Sequence, residues 1–311
     1  PICLYPGRFH WLRQQLAIDA TKLPQPKCQA YEERIGQHTF EKVTLVFSSY
    51  YSGNPASMLG HTFLRLHGKK ASGEARMAIL DDIVNFAANP DTGNPVLYAT
   101  KGLTGFFPGT FSMMPYFVKI QEYNNNESRD LWEYELNLSP DQVNLMMKVL
   151  WDVGRFHIDY WYIDENCSYI ILFLLEVANP KLDLTDQHMT WVLPADTLRS
   201  VVSQPDIVRD IDFRPSARFR FVARYGDLDD EQKKILEGFF DDDFKPSQRL
   251  LEELAPRKQA EVLDAGLEFI EFDEQLATNK MAEKYQSQQK YFLTKRASIP
   301  IKPRTLDAIP K

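Results

Sequence analysis

No apolar run in this chain approaches the ~18 residues that a membrane-spanning helix requires. The longest, Ile170 to Leu175, falls far short. Positive charge is also scarce, with 36 Lys and Arg against 43 Asp and Glu and a formal net charge of -7. A general nucleic-acid binder needs a basic stripe, so that class is set aside. The total charge says little about membranes, where local patches decide. No signal peptide is visible. The chain starts at Pro1 without a Met, as expected of a processed or excised piece. His10, His38 and His188 share no ligand spacing with the cysteines, so no metal or other cofactor is expected. No internal repeat is apparent.

Cysteine is rare, with three residues in 311. Cys3 and Cys28 are close in sequence and flank a predicted helix, whereas Cys167 stands alone. One disulfide plus one free thiol fits this most economically. Three unrelated buried thiols in a cytosolic protein is the alternative.

What is plentiful is apolar surface. Hydrophobic residues make up 44% of the chain and aromatics 13%, enough for a sizeable core and for large buried rings. The length suits two compact units, or one large domain with a helical appendage.

An amphipathic helix is expected around Phe9 to Ala20, and Val43 to Phe47 reads as a buried strand. His61 to Leu66 reads as a further strand, Met77 to Ala88 as another strand or a hairpin, and Val118 to Tyr123 and Trp132 to Leu138 as strands. Residues 89–118 mix Gly, Pro and aromatics and read as a long ordered loop. Ser139-Pro140-Asp141-Gln142 is a helix start: a Ser cap, Pro at the first helical position and Gln where a capping box needs it. A second helix, apolar almost all round and therefore central, begins near Asn166-Cys167 and ends before Pro180. From Pro194 the chain reads as helical, with one or two long helices over 256–293. Residues 298–311 carry Pro300, Pro303 and Pro310 and read as a linker.

Cys167 is the residue with the clearest chemical potential. Asn166 is a good cap, which puts Cys167 in a first helical turn. The positive helix end favours a thiolate, and the free N–H groups, with Asn166 and Ser168 flanking the sulfur, offer an oxyanion site. The same position also suits a small residue tucked at a helix start. His61 stands at the entry to a strand directly after Gly60. A lone strand histidine is more often structural, but paired with a helix-start cysteine it is the natural base. Asn85, polar within an apolar strand pattern, is the favoured partner to orient the imidazole, with Asp81 and Asp82 as competitors. Arg129, Asp130 and Glu133 read as a solvated charge cluster. The stretch Tyr98 to Tyr116 carries Lys101, Phe106, Phe107 and Tyr116. It is either an apolar rim for a lipid chain or hydrophobic peptide, or a packed loop over one end of the core. Ser57, in the turn-rich stretch before His61, joins these as a candidate substrate-loop residue.

Gly60-His61-Thr62-Phe63-Leu64-Arg65, followed about a hundred residues later by Glu165-Asn166-Cys167-Ser168-Tyr169, resembles the Lnb-type N-terminal periplasmic domain family. The likeness extends through Cys3 to Arg8, Asn54 to Ser57, Lys101 to Gly109 and Trp132 to Tyr134. That family is similar to circularly permuted NlpC-like papain-fold proteins, a group that includes lecithin:retinol acyltransferase-like enzymes. The resemblance implies an α+β fold: a permuted papain-like core, with an antiparallel sheet packed on a buried nucleophile helix, and a C-terminal helical extension. The resemblance covers roughly residues 1–200; with a soft boundary in the sequence near 205–225, a catalytic domain is expected over 1–205 containing the disulfide segment, then a helical extension over 206–297 and a linker over 298–311. It also implies a periplasmic protein, tethered to the outer membrane through a C-terminal barrel to which the Pro-rich end would lead.

The function implied is a cysteine acyltransferase. A phospholipid would donate its acyl chain to Cys167 as a thioester, and an amine, such as the N-terminus of a bacterial lipoprotein, would accept it. A membrane surface is the expected setting, and nucleic acid is not an expected partner. The rival is a thiol peptidase or amidase acting on peptidoglycan peptides, which needs a polar cleft instead of an apolar groove. A third possibility is an inactive periplasmic scaffold.

Overall fold

The computed structural model describes residues 2–24, 26–36, 39–51, 58–69, 77–187, 191–241, 243–276 and 285–304. The chain divides into two compact units, Pro1–Lys119 with Trp132–Asp212, and Ile120–Leu131 with Phe213–Lys311. The second unit includes residues 120–131, which the sequence pattern alone assigned to the first.

Along the chain, helix α1 (Pro6–Gln15) and the single turn α2 (Gln29–Tyr31) precede strands β1 (Thr39–Ser48), β2 (His61–Lys69) and β3 (Asp82–Ala88). Then come α3 (Pro95–Leu103), β4 (Phe107–Pro115), α4 (Tyr116–Lys119), β5 (Leu131–Leu136) and α5 (Pro140–Val153). β6 (Ile158–Tyr160), α6 (Cys167–Ala178), α7 (Pro194–Val202) and β7 (Val208–Arg214) complete this part. The strands form one antiparallel sheet in the order β6-β4-β3-β2-β1-β5-β7. Register places Ser48 opposite His61, Leu64 opposite Val84, and Asn85 opposite Ser112.

Leu45, Leu64, Leu66 and Val84 pack with Val143, Met146, Met147 and Leu150 of α5 and Leu172 and Leu175 of α6 into one core. The helical spacing of the α5 set puts all four on one stripe. α5 begins with the expected capping box, Gln142 N–H donating to Ser139 Oγ at 3.3 Å and Ser139 N–H to Gln142 Oε1 at 2.8 Å. Cys3 and Cys28 form the expected disulfide. It closes the segment around α1, whose first N–H groups, Gly7 and Arg8, donate to Asp152 of α5 at 3.1 and 2.7 Å. Such orphan donors at a helix start need acceptors.

β2 is buried on both faces from Thr62 to Leu66, and Arg65 is buried within it. Its guanidinium bonds Asp81 at 2.9 Å and Glu133, and lies 4.8 Å from the centre of the Tyr116 ring. Tyr116 donates to Glu133 at 2.6 Å. Glu133 is therefore buried and paired and does not belong to a solvated cluster, and Tyr116 belongs to this core and not to a substrate loop. Arg129 is fully buried too, over the Tyr123 ring and paired with Glu127.

Three other expectations are corrected. Residues 89–118 are not a loop: Asn94 caps α3 by accepting from Val96 and Leu97 N–H, Pro95 holds the first helical position, and β4 follows. Val118 to Tyr123 is helical, with Tyr116, Ile120 and Tyr123 buried at three- to four-residue spacing. The helical reading after Pro194 misses β7, whose Val-Arg-Asp-Ile-Asp-Phe-Arg sequence alternates at period two.

In the second unit, α8 (Ala217–Asp227), α9 (Asp230–Gly238), α10 (Lys245–Glu253), α11 (Pro256–Leu276) and α12 (Gln286–Ala297) enclose a core around Phe239, Leu263, Ile270 and Phe292. Asn124 donates to Pro215 O at 3.2 Å, and Ser216 N–H to Asp130 at 2.8 Å, which joins residues 120–131 to this unit. Residues 299–301 also pack here, their carbonyls accepting from Arg296.

Candidate active site

Asn166 caps α6, its Oδ1 accepting from Ser168 N–H at 3.0 Å and Tyr169 N–H at 3.4 Å. Its own amide donates to Val192 O at 2.6 Å and Tyr162 O at 3.2 Å, so the cap is fixed from both sides. Cys167 thus sits at the first helical position, buried and free of any disulfide.

Gly60 turns the chain into β2 with φ +91°, and a Cβ there would meet the Phe47 ring at 2.9 Å and Ser48 O at 3.0 Å. Only glycine meets both demands. The next residue, His61, bonds Asn85 Oδ1 through Nε2 at 2.7 Å. Its side chain also hydrogen-bonds Cys167. Asp81 does not compete for this ring: it is bound to Arg65 and to His67 Nδ1, at 3.0 Å.

Burial alone would push the Cys167 thiol up. The charge and hydrogen bond of His61 outweigh it, helped by the Tyr160 hydroxyl and the Thr62 N–H, and hold the thiol down at about 6. The group is thereby a thiolate at neutral pH, the nucleophilic form.

Sequence reasoning missed two contributors. Tyr160 accepts the Cys167 N–H at 3.2 Å through its hydroxyl, which also bonds the Cys167 side chain. β6 pairs Tyr160 with Phe107, and the ring stacks on Phe86 at 5.7 Å, which aims the hydroxyl. Burial, then the Cys167 charge, pushes the Tyr160 phenol well above its ordinary value, so it stays protonated and able to donate. The aromatic run Tyr160-Trp161-Tyr162 just before the cysteine was the available signal. Thr62 is the second: its hydroxyl donates to Ser168 Oγ at 2.9 Å and ties β2 to α6.

Ser168 therefore acts as a buried anchor, with its N–H taken by the cap. The donors that meet the sulfur are the Tyr160 O–H and the Thr62 N–H, whereas the Cys167 N–H is taken up by the Tyr160 hydroxyl oxygen. A hydroxyl donor beside the nucleophile is of the kind that can stabilise a carbonyl oxygen as it becomes negative during attack.

The expected apolar loop beside the nucleophile is absent from the cleft. Leu59, Gly60, Tyr160, Tyr162, Asn166 and Pro194 surround Cys167 in a cleft of about 20 Å³, room for roughly one water. Phe107 is buried, packing on Tyr98 at 5.3 Å and on Tyr162 at 6.2 Å. Lys101 is paired with Asp91 at 2.7 Å on α3. Phe106 is 72% exposed and lies outside the cleft lining. Ser57, His38 and His188 fall outside the described residues.

The family described as Lnb N-terminal periplasmic domain matches residues 30–204, and a domain of unknown function (DUF7842) matches 211–307. No curated protein and no solved structure matches the chain.

Proposed function

Because this chain belongs to the Lnb N-terminal periplasmic domain family, a periplasmic location is the starting point, and we propose that it is a cysteine-dependent acyltransferase. The observation that carries the proposal is the chain of contacts from Cys167 through His61 to Asn85, with the thiol held down at about 6. A strand histidine that precedes a helix-start cysteine also supports a permuted papain-like arrangement of the core.

The Cys167 thiolate attacks the ester carbonyl carbon of a phospholipid, and a C–S bond forms. The Tyr160 O–H holds the oxyanion, and the Cys167 N–H, bonded to the same hydroxyl in the resting site, joins it when the oxyanion takes that hydroxyl's place as acceptor. As the adduct collapses, the C–O bond to glycerol breaks, and the leaving oxygen takes a proton from the His61 imidazolium. An amine nitrogen then attacks the thioester. The C–N bond forms, the C–S bond breaks, and the amine proton passes to His61, restoring the thiolate–imidazolium pair. The net change converts phospholipid and amine into lysophospholipid and amide. The N-terminal amine of a lipoprotein is the acceptor we favour.

The small cleft favours a second reading, a thiol peptidase or amidase acting on peptidoglycan peptides. No preformed groove for an acyl chain adjoins Cys167 among the described residues, and the aromatic stretch offered for that role is largely core. The two readings separate on one experiment. The protein is incubated with phospholipid and a lipidated peptide bearing a free α-amine, and beside it with a muropeptide. Formation of the N-acyl peptide, lost in Cys167→Ala, supports acyl transfer; cleavage of the muropeptide alone supports the rival.

A further inference from the structure

The cleft around Cys167 is narrow, but its rim is broad and apolar. Four chain segments, 58–60, 102–106, 161–166 and 191–194, converge there. Leu59 and Pro194 are both part of the cleft lining. Tyr162 N–H donates to Gly102 O at 2.9 Å, and the Trp161 ring lies so close over Gly105 that an added Cβ would sit 2.2 Å from it. Val192 N–H donates to Ile163 O at 2.8 Å, and Val192 O accepts from Asn166. These contacts tie 102–106, 161–166 and 191–194 together, and 58–60 borders the same cleft through Leu59 and Gly60.

Each segment turns an apolar side chain to solvent. Leu59, Phe106, Trp161, Ile163, Trp191 and Leu193 are all exposed, Phe106 by 72% and Trp191 by 69%. Single exposed apolar residues need no explanation, but a collar of six around a candidate nucleophile does. Tryptophan and phenylalanine at loop tips match the boundary between headgroups and acyl chains, where an amphipathic ring has one side apolar and the other wet.

The charges select among possible surfaces. The four segments carry Asp164 and Glu165 and no Lys or Arg. The neighbouring Lys101 is bound to Asp91. An anionic bilayer would repel this rim, and a zwitterionic one would not.

Resting on the acyl-transfer reading of Cys167, we propose that this collar docks the cleft onto a zwitterionic phospholipid surface, seating the cleft mouth at the level of the ester groups. Docking is driven by apolar burial, so it is insensitive to salt and is not strengthened by anionic lipid. An acyl chain then stays in the bilayer while its carbonyl reaches Cys167, which accounts for a lipid-acting site with no tunnel among the described residues.

The test is flotation of the full chain with vesicles of phosphatidylcholine alone, and of phosphatidylcholine mixed with phosphatidylglycerol, at low and high salt. The wild type is expected to float with the first and no better with the second. The double variant Phe106→Asp, Trp191→Asp is expected to bind about tenfold more weakly or worse. Its Cys167 should still react with iodoacetamide as in the wild type, which shows that the site is intact. Failure of the wild type to bind phosphatidylcholine, a requirement for anionic lipid, or equal binding by the double variant would overturn the proposal. So would a vesicle-independent dimer that the same variant dissolves, which would assign the collar to a second copy. Docking without any acyl adduct on Cys167 would leave the surface supported and count against the acyl-transfer reading.

Discussion

His61 Nε2 lies 2.7 Å from Asn85 Oδ1, one strand over in the sheet. The bond fixes the ring plane while the same side chain hydrogen-bonds Cys167. Asn85 is itself buried, with its amide 3.4 Å from Ser112 Oγ on β4. Asn85→Ala should leave the fold intact and lower turnover by about a hundredfold, because the imidazole is then free to rotate. Steady-state kinetics with a circular-dichroism control checks this.

The thiol of Cys167 should titrate near pH 6. Alkylation by iodoacetamide follows the thiolate, so its rate should rise as pH increases through about 6 and be nearly level by neutral pH. His61→Ala removes the charge and the hydrogen bond that lower the value and leaves burial, which raises it. The midpoint should therefore move upward, and alkylation at pH 6 should become slower. An unmoved midpoint would remove His61 from the site.

Tyr160→Phe deletes the hydroxyl that meets both the Cys167 N–H and the sulfur while keeping the ring stacked on Phe86. Loss of one oxyanion donor should reduce kcat by about 10²-fold with little change in KM. A drop confined to KM would mark Tyr160 as a substrate contact instead.

Much of this site is visible in the sequence because it is built from local signals. Asn166 before an apolar helix announces Cys167, and Gly60 before a strand announces His61. Asn85 stands out as the polar residue in an apolar strand. The capping box at Ser139 and the pairing of Cys3 with Cys28 are legible for the same reason. The misses are long-range. Tyr160 earns its role only because β6 pairs with β4 and Phe86 stacks beneath it. Glu133 looks solvated until β2 delivers Arg65 to it, and Phe107 looks like a rim residue until Tyr162 covers it. The glycines, prolines and aromatics of residues 89–118 suggest a loop, although Asn94-Pro95 is a helix start of the same kind as Ser139-Pro140.

The Cys3–Cys28 bond closes a loop with a sequence separation of 25. By the loop-entropy relation, its removal should cost about 3 kcal/mol of stability. Urea unfolding of the Cys3→Ala, Cys28→Ala double variant against the wild type measures this, with Cys167 present in both.

Intact-protein mass spectrometry after incubation with phospholipid vesicles tests the central claim most directly. One acyl chain should be added to the wild type, located on Cys167 by peptide mapping, removed by hydroxylamine and absent from Cys167→Ala. A wild-type mass that stays unchanged with phospholipid, while the same preparation cleaves a muropeptide amide in a Cys167-dependent way, would contradict it.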